Sequence, residues 1–185
     1  MPAADGWQRE ALIGAGFRFI ETLITLRRPI EPLPDLDAKI DVASEREIGA
    51  CVAIGRTAFA TDRYHADPQI PDAAAEVLKA LWVENALRGR AELALVARDD
   101  TGGVVGFNFI VNGAIGPTID LIATAEAQRG KGFGRALIAA GLAHYRGKAE
   151  AMFVGTQAQN GAALALYRGF GFIPIEEQVT LHWTP

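Results

Sequence analysis

Three groups of residues in this 185-residue chain have types and spacings that could do chemistry. The run Gln128-Arg129-Gly130-Lys131-Gly132-Phe133-Gly134 joins three glycines to two cations, and Arg135 follows just before an Ala-rich stretch. Glycines let a backbone approach an anion closely. The first turn of a following helix adds unpaired N–H groups at the positive end of its dipole, so a pyrophosphate could sit there with little help from side chains. A dinucleotide fold would want G-x-G-x-x-G where this run reads G-x-G-x-G, and no G-x-x-x-x-G-K-[ST] occurs. In the second group, Asn160 is placed to cap a helix and Tyr167 lies seven residues on. Both then project from nearly the same face. The third is Glu21, inside the apolar run Phe17 to Arg28. Period-two alternation puts Phe17, Phe19, Glu21 and Leu23 on one face, where burial disfavours the charged carboxylate and makes it a stronger base. An ion pair with Arg18 or Arg27 is the structural alternative for Glu21.

The elements that must position these groups read as a mixed α/β sheet. A helix over 5–15 precedes the strand 17–28, and the three prolines between Pro29 and Pro34 mark a linker. A short strand, 39–42, leads to Ser44 and Glu47, a capping-box spacing, and then to a helix over 45–58. The segment Arg63-Tyr64-His65-Ala66-Asp67-Pro68 reads as a loop. Asp72 caps a second helix that Arg88-Gly89 ends near Leu87. Strands over 91–98 and 103–111 are joined by a turn at Asp99 to Gly103. A strand from Pro117 to Thr124 enters the glycine-rich run. A helix over 132–147, a strand over 150–155, a helix over 161–168 and a strand pair, 171–175 and 178–183, complete the order. Trp82 falls in an amphipathic helix, as core or as a wall beside a cleft.

Half the residues are apolar and 22% are charged, a globular composition, and the length suits one core that needs neither disulfide nor structural metal. A net charge of −4 and a pI near 5.4 argue against a nucleic-acid partner, while a small phosphorylated ligand needs only a few local donors. Cys51 is the sole cysteine, which excludes an intrachain disulfide and a Cys-based zinc site and fits a reducing, cytoplasmic setting. Apolar stretches break well short of the roughly 18–20 residues that a membrane helix needs, and no basic-then-apolar signal opens the chain. Neither a membrane partner nor export is expected. His144 and His182 lack metal-ligand spacing, so no metal is expected.

The glycine-rich run resembles the signature [QR]-x-x-G-x-[GA] of the GNAT acetyltransferases, matched here by Arg129, Gly132 and Gly134. The segment Thr156 to Tyr167, ending in Gly169-Phe170-Gly171-Phe172, resembles its second half. Three further stretches resemble a branch of that family that acetylates dTDP-linked 4-amino-4,6-dideoxy sugars. They are Gly16-Phe17 with Glu21, the segment from Arg63 to Gly89, and Thr156-Gln157 to Tyr167. That branch has a longer N-terminal portion than this chain. The resemblance implies the GNAT acyl-CoA N-acyltransferase fold over 37–185, with residues 1–36 as an added helix and strand. A match of six positions in thirteen between GFRFIETLITLRR at Gly16 and GFIPIEEQVTLHW at Gly171 suggests a remnant of a second half-domain. Chance likeness of two apolar strands is the alternative.

The resemblance also implies roles. Pantetheine would lie along Leu121, Ile122 and Ala123. The diphosphate of acetyl-CoA would meet Arg129, Gly130, Lys131, Gly132, Phe133, Gly134 and Arg135, and Asn160 would contact coenzyme A. Glu21 is implied as general base and Tyr167 as general acid; a helical aromatic packed into the core is the alternative for Tyr167. His65 would stand near the acceptor. Asp120, read as sharing a face with Thr118 and Ile122, is a second carboxylate for the acceptor amine. Since a free thiol titrates near 8.5 and a tyrosine near 10, Tyr167 would share its proton with a thiolate unless its site made it more acidic. The expected function is acetyl-CoA-dependent N-acetylation of a nucleotide-linked amino sugar by direct attack. Acetylation of another amine, such as an amino acid, a peptide N-terminus or an aminoglycoside, and a non-catalytic acyl-CoA-binding module stay as alternatives. Free strand edges leave a homodimer open.

Overall fold

The computed structural model describes residues 6–33, 39–59 and 61–183; the expected division at residue 36 lies outside them. The order is α1 (Gly6–Gly14), β1 (Arg18–Pro29), β2 (Ile40–Val42), α2 (Ile48–Ala58), α3 (Arg63–Ala66) and α4 (Asp72–Asn85). Then come β3 (Leu93–Arg98), β4 (Val104–Gly113), β5 (Gly116–Thr124), α5 (Phe133–His144), β6 (Ala151–Gln157), α6 (Gly161–Gly169) and β7 (Ile173–His182). The strands form one sheet in the order β2-β3-β4-β5-β6-β1-β7, antiparallel except where β5 meets β6. This is the expected mixed α/β architecture.

Apolar layers cover both faces. On one, Leu137, Ile138 and Leu142 of α5 and Leu164 and Tyr167 of α6 pack on Leu26, Ile110, Met152 and Val154. On the other, Cys51 and Ile54 of α2 and Val83 of α4 pack on Val96, Phe107, Phe109 and Leu121. Gly55 lets α2 and α4 approach, because a Cβ there would lie 2.7 Å from Val83 Cγ2, part of a stiff branched side chain. Gly55→Ala should therefore destabilise by about 1–2 kcal/mol, overpacking outweighing the helix-propensity gain of about 0.5–1 kcal/mol. A lower urea midpoint at unchanged slope is the expected reading; a raised midpoint would contradict it.

Several local expectations change. The Ser44–Glu47 capping box forms, but it encloses a single 3₁₀ turn before α2 begins. Pro71, not Asp72, is the N-cap of α4; Asp72 is its first helical residue and supplies no side-chain cap. The segment read as a loop at 63–68 contains α3, whose Tyr64 and His65 N–H groups donate to Asp62. The closing strand pair is one continuous strand, β7, and β1 supplies its partner. β1 thus lies inside the sheet, paired with β6 from Leu23 to Pro29 and with β7 from Arg18 to Arg27. Gly16 and Gly171, the paired glycines of the internal echo, precede these two strands with φ of 94° and 81°. Both turns need that left-handed backbone, which accounts for one shared residue of the echo.

Two bulges change which residues share a face. The β1–β7 register skips Ile20, so Glu21 faces Thr180 and lies on the same side as Arg18, which faces His182. Phe19 is turned to the other side and is 42% exposed, contrary to the simple alternation. The β4–β5 register skips Asp120. Ile119 and Ile122 consequently face α5, while Leu121 and Ala123 face α2 and α4, so Asp120 does not share a face with Ile122.

Candidate active site

β5 and β6 pair only at Thr118–Phe153 and Ile119–Val154, and beyond that point they separate. β6 stays with β1 as far as Gln157, and β5 stays with β4 as far as Thr124, so a gap opens toward the C-terminal ends of both strands. The Ala125 N–H donates to the Val105 carbonyl in the β4–β5 register. Strand alternation then commits Ala123 and Leu121 to β4 and turns the N–H and C=O of Ile122 and Thr124 into the gap. Of the three residues expected to meet pantetheine, Ile122 is the one with backbone groups available there. Thr124 was missed, because only pairing reveals which residues are spare. A depression lined by Arg27, Ile115, Pro117 and Phe153 lies at the opposite, closed end of these strands.

The glycine-rich turn follows the open end of β5. Gly130 and Gly132 have φ of 77° and 90°, with nothing within 4 Å of a built Cβ, so they are required for backbone conformation rather than for packing. Gly132 is the N-cap of α5 and leaves its first-turn N–H groups without a side-chain cap. That end of a 12-residue helix is suited to a diphosphate. Its cations are arranged differently from one another. Lys131 Nζ donates to Gln128 Oε1 at 2.8 Å, and the Arg135 guanidinium lies over the Phe170 ring. Arg129 is exposed.

α6 starts at the open end of β6. Asn160 caps it, its Oδ1 accepting from the Ala163 N–H at 3.1 Å, which leaves the side-chain NH₂ for another partner. Tyr167 is enclosed on the α5 and α6 face against Phe172 and is 3% exposed. Burial pushes its hydroxyl well above the ordinary tyrosine value, with no hydrogen bond or charge contributing. The site therefore keeps Tyr167 protonated rather than making it more acidic, which leaves its hydroxyl able to donate a hydrogen bond.

The N-terminal end of β1 and the C-terminal end of β7 lie at this same open end, because both run antiparallel to their neighbours. Glu21 is 2% exposed there. Its Oε1 accepts from Thr180 Oγ1 at 3.4 Å, and its Oε2 is buried without a partner among the described residues. Arg18 pairs instead with Asp67, Nη1 to Oδ1 at 2.9 Å, and Asp67 also holds His182 Nδ1 and the Gln69 N–H. α3 is thereby fastened across β1 and β7. Neither ion pair considered for Glu21 forms among the described residues.

A second cluster supports α3 from α4. Asp62 binds Lys79 Nζ at 2.7 Å and His65 Nδ1 at 3.0 Å, which directs His65 Nε2 away from the carboxylate. Burial works to raise the Asp62 carboxyl, but the hydrogen bonds from Lys79 and His65 prevail and it lies below the ordinary range. Phe59, Tyr64 and Trp82 surround the buried Lys79 ammonium, with the Trp82 ring nearest at 4.2 Å. Trp82 is thus a wall between α4 and α3. Asp120, projected by its bulge, accepts from both Arg90 Nη atoms at 2.7 and 2.9 Å. Sequence reasoning named neither Lys79 nor Arg90, whose signals are single cations in ordinary helical surroundings.

The Asp67 cluster carries a pH prediction. Hydrogen bonds from His182, the Gln69 amide and Arg18 outweigh burial and hold its carboxyl at about 2. With an unfolded value of about 3.9, the stabilisation is fully present above pH ~4 and is lost as pH falls toward 2. Thermal unfolding from pH 5 down to 2.5 should show a shallower decline for Asp67→Asn than for the parent. Glu47, also held at about 2 by its bonds to Ser44 and Arg98, leaves a residual slope in both. Parallel curves would remove Asp67 from the account.

Comparison with known proteins supports the arrangement. Residues 58–172 match the model of the acetyltransferase (GNAT) family. The chain is 32% identical over 169 residues to the dTDP-fucosamine acetyltransferase of Escherichia coli O6:H1 (strain CFT073), covering 89% of this chain and 71% of that protein. In fold it is similar to a functionally unknown conserved protein from Staphylococcus epidermidis, with a TM-score of 0.71 and 16% identity over 96% of this chain. It is also similar to a GNAT-family acetyltransferase structure from Novosphingobium aromaticivorans, with a TM-score of 0.62 and 18% identity over 92% of this chain. The chain spans 66% and 69% of those two proteins. No described helix is long and apolar enough to cross a membrane. Since the family match runs unbroken through the parted strands, the glycine turn and the helix bearing Tyr167, the chain belongs to the GNAT acetyltransferase family.

Proposed function

We propose that this acetyltransferase moves the acetyl group of acetyl-CoA to the amino group of a nucleotide-linked amino sugar, of the dTDP-4-amino-4,6-dideoxyhexose type. The observation that carries the reading is that the gap beside Ile122, the uncapped α5 N-terminus and the buried Glu21 carboxylate lie at one end of the sheet. The likeness to the E. coli protein over most of the chain supports the acceptor class.

The residues fit a pantetheine diphosphate: spare backbone groups of Ile122 and Thr124 along the gap, then open amides at Gly132 to Arg135. When bound, acetyl-CoA supplies the activated acyl group. Glu21 accepts a proton from the acceptor ammonium, directly or through water, so that the amine can attack. The Ile122 N–H is a preorganised donor for the carbonyl oxygen as negative charge develops on it. As the C–S bond breaks, Tyr167 donates a hydrogen bond to the departing sulfur, and the second proton lost by the acylated nitrogen passes through water to the thiolate. His65 and Asp120 flank the acceptor side, Asp120 with both oxygens engaged by Arg90.

The test is a mixed acceptor panel with thiol-release detection, alongside calorimetry with desulfo-CoA. Saturable heat and turnover with a dTDP-linked amino sugar are expected. Turnover with an amino acid, peptide or aminoglycoside alone would reject the acceptor class. Binding without turnover on any amine would favour the non-catalytic module, and absence of heat would remove the cofactor site.

A further inference from the structure

We infer that Arg18, together with Glu21, selects acceptors in which a neutral hydroxyl lies next to the reacting amine; this deepens the acetyltransfer reading and rests on it. The bulge at Ile20 brings Arg18 and Glu21 to one face of the β1–β7 ribbon, opposite His182 and Thr180. Each carries a buried polar atom with no partner among the described residues, Arg18 Nη2 and Glu21 Oε2. One is a donor and the other an acceptor. A buried orphan of either kind is costly, and a ligand that presents an oxygen to the first and an N–H to the second satisfies both at once.

The paired positions lie about 7 Å apart along the ribbon, a span that a side chain as long as arginine can bridge toward neighbouring groups of one ligand. Charge decides what the oxygen is. The Nη1 of Arg18 is already engaged by Asp67, so a ligand carboxylate would enter beside the carboxylates of Asp67 and Glu21 with one shared guanidinium to offset them. A hydroxyl accepts from Nη2 without that repulsion. Arg18 is therefore a specificity residue touching the acceptor, and Asp67 with His182 positions it.

The experiment compares kcat/KM of the parent, Arg18→Gln and Arg18→Lys on dTDP-4-amino-4,6-dideoxygalactose and its 3-deoxy analogue, with an α-amino acid as a third arm. The parent should prefer the hydroxylated sugar by about tenfold or more, chiefly in KM, and both variants should reduce that preference to about twofold. Arg18→Lys keeps a cation for Asp67, so its melting temperature separates lost recognition from lost docking of α3. No preference in the parent, or a full preference in folded Arg18→Lys, would overturn the inference, as would faster turnover of the amino acid than of either sugar. If neither sugar nucleotide is turned over, the acceptor class itself has failed. The Arg18 inference is then decided by the same criterion on 2-aminocyclohexanol against cyclohexylamine.

Discussion

Tyr167→Phe is expected to lower kcat by on the order of 10²-fold or more while leaving desulfo-CoA affinity within about twofold. The ring is enclosed against Phe172, so phenylalanine keeps the packing and removes only the hydroxyl. Because burial holds that hydroxyl above its ordinary value, the contribution expected of it is a hydrogen bond to sulfur rather than complete proton transfer. The loss should therefore be nearly constant from pH 6 to 9, a range in which Tyr167 remains protonated. Stopped-flow thiol release on acetyl-CoA at saturating acceptor measures it. Undiminished kcat would take Tyr167 out of the chemistry, and a parallel fall in desulfo-CoA affinity would reassign it to cofactor binding.

Glu21→Gln should reduce kcat/KM for the acceptor by about 10²–10³-fold at neutral pH. The substitution keeps the size of the side chain and its acceptor oxygen for Thr180, but it cannot take a proton. The deficit should shrink as pH rises through the titration of the acceptor amine, because a larger fraction then arrives unprotonated. A deficit that stays constant with pH would make Glu21 a binding group instead. Asp120 is the rival carboxylate, but its two oxygens accept from Arg90 in a fork, whereas Glu21 has a buried oxygen with no partner among the described residues. Asp120→Asn should accordingly leave the pH dependence of the parent in place.

The local codes that need few neighbours could be read directly. Gly130 and Gly132 imposed their turn, Asn160 its helix start and Ser44–Glu47 its capping box, because each acts within a few residues of itself. Apolar periodicity located most strands and helices for the same reason. The partition of faces was not accessible in this way. Glu21 was correctly read as buried, but the residues beside it were misassigned, since a bulge at Ile20 depends on the register with β7 and leaves no mark on alternation. The bulge at Asp120 misled the reading of β5 in the same manner.

The chain's own sequence thus determined the glycine-rich turn, the capped helix that carries Tyr167 and a carboxylate set in an apolar strand. Tertiary structure decided what they could do together. Insertion of β1 between β6 and β7 carries Glu21 to the open end of the sheet, and docking of α3 through Asp67 engages Arg18 while leaving Glu21 without an ion pair among the described residues. Those outcomes depend on contacts between residues 49 and 159 positions apart, which propensity and spacing do not encode. Strand pairing and buried charge balance fix them only once the whole sheet is assembled.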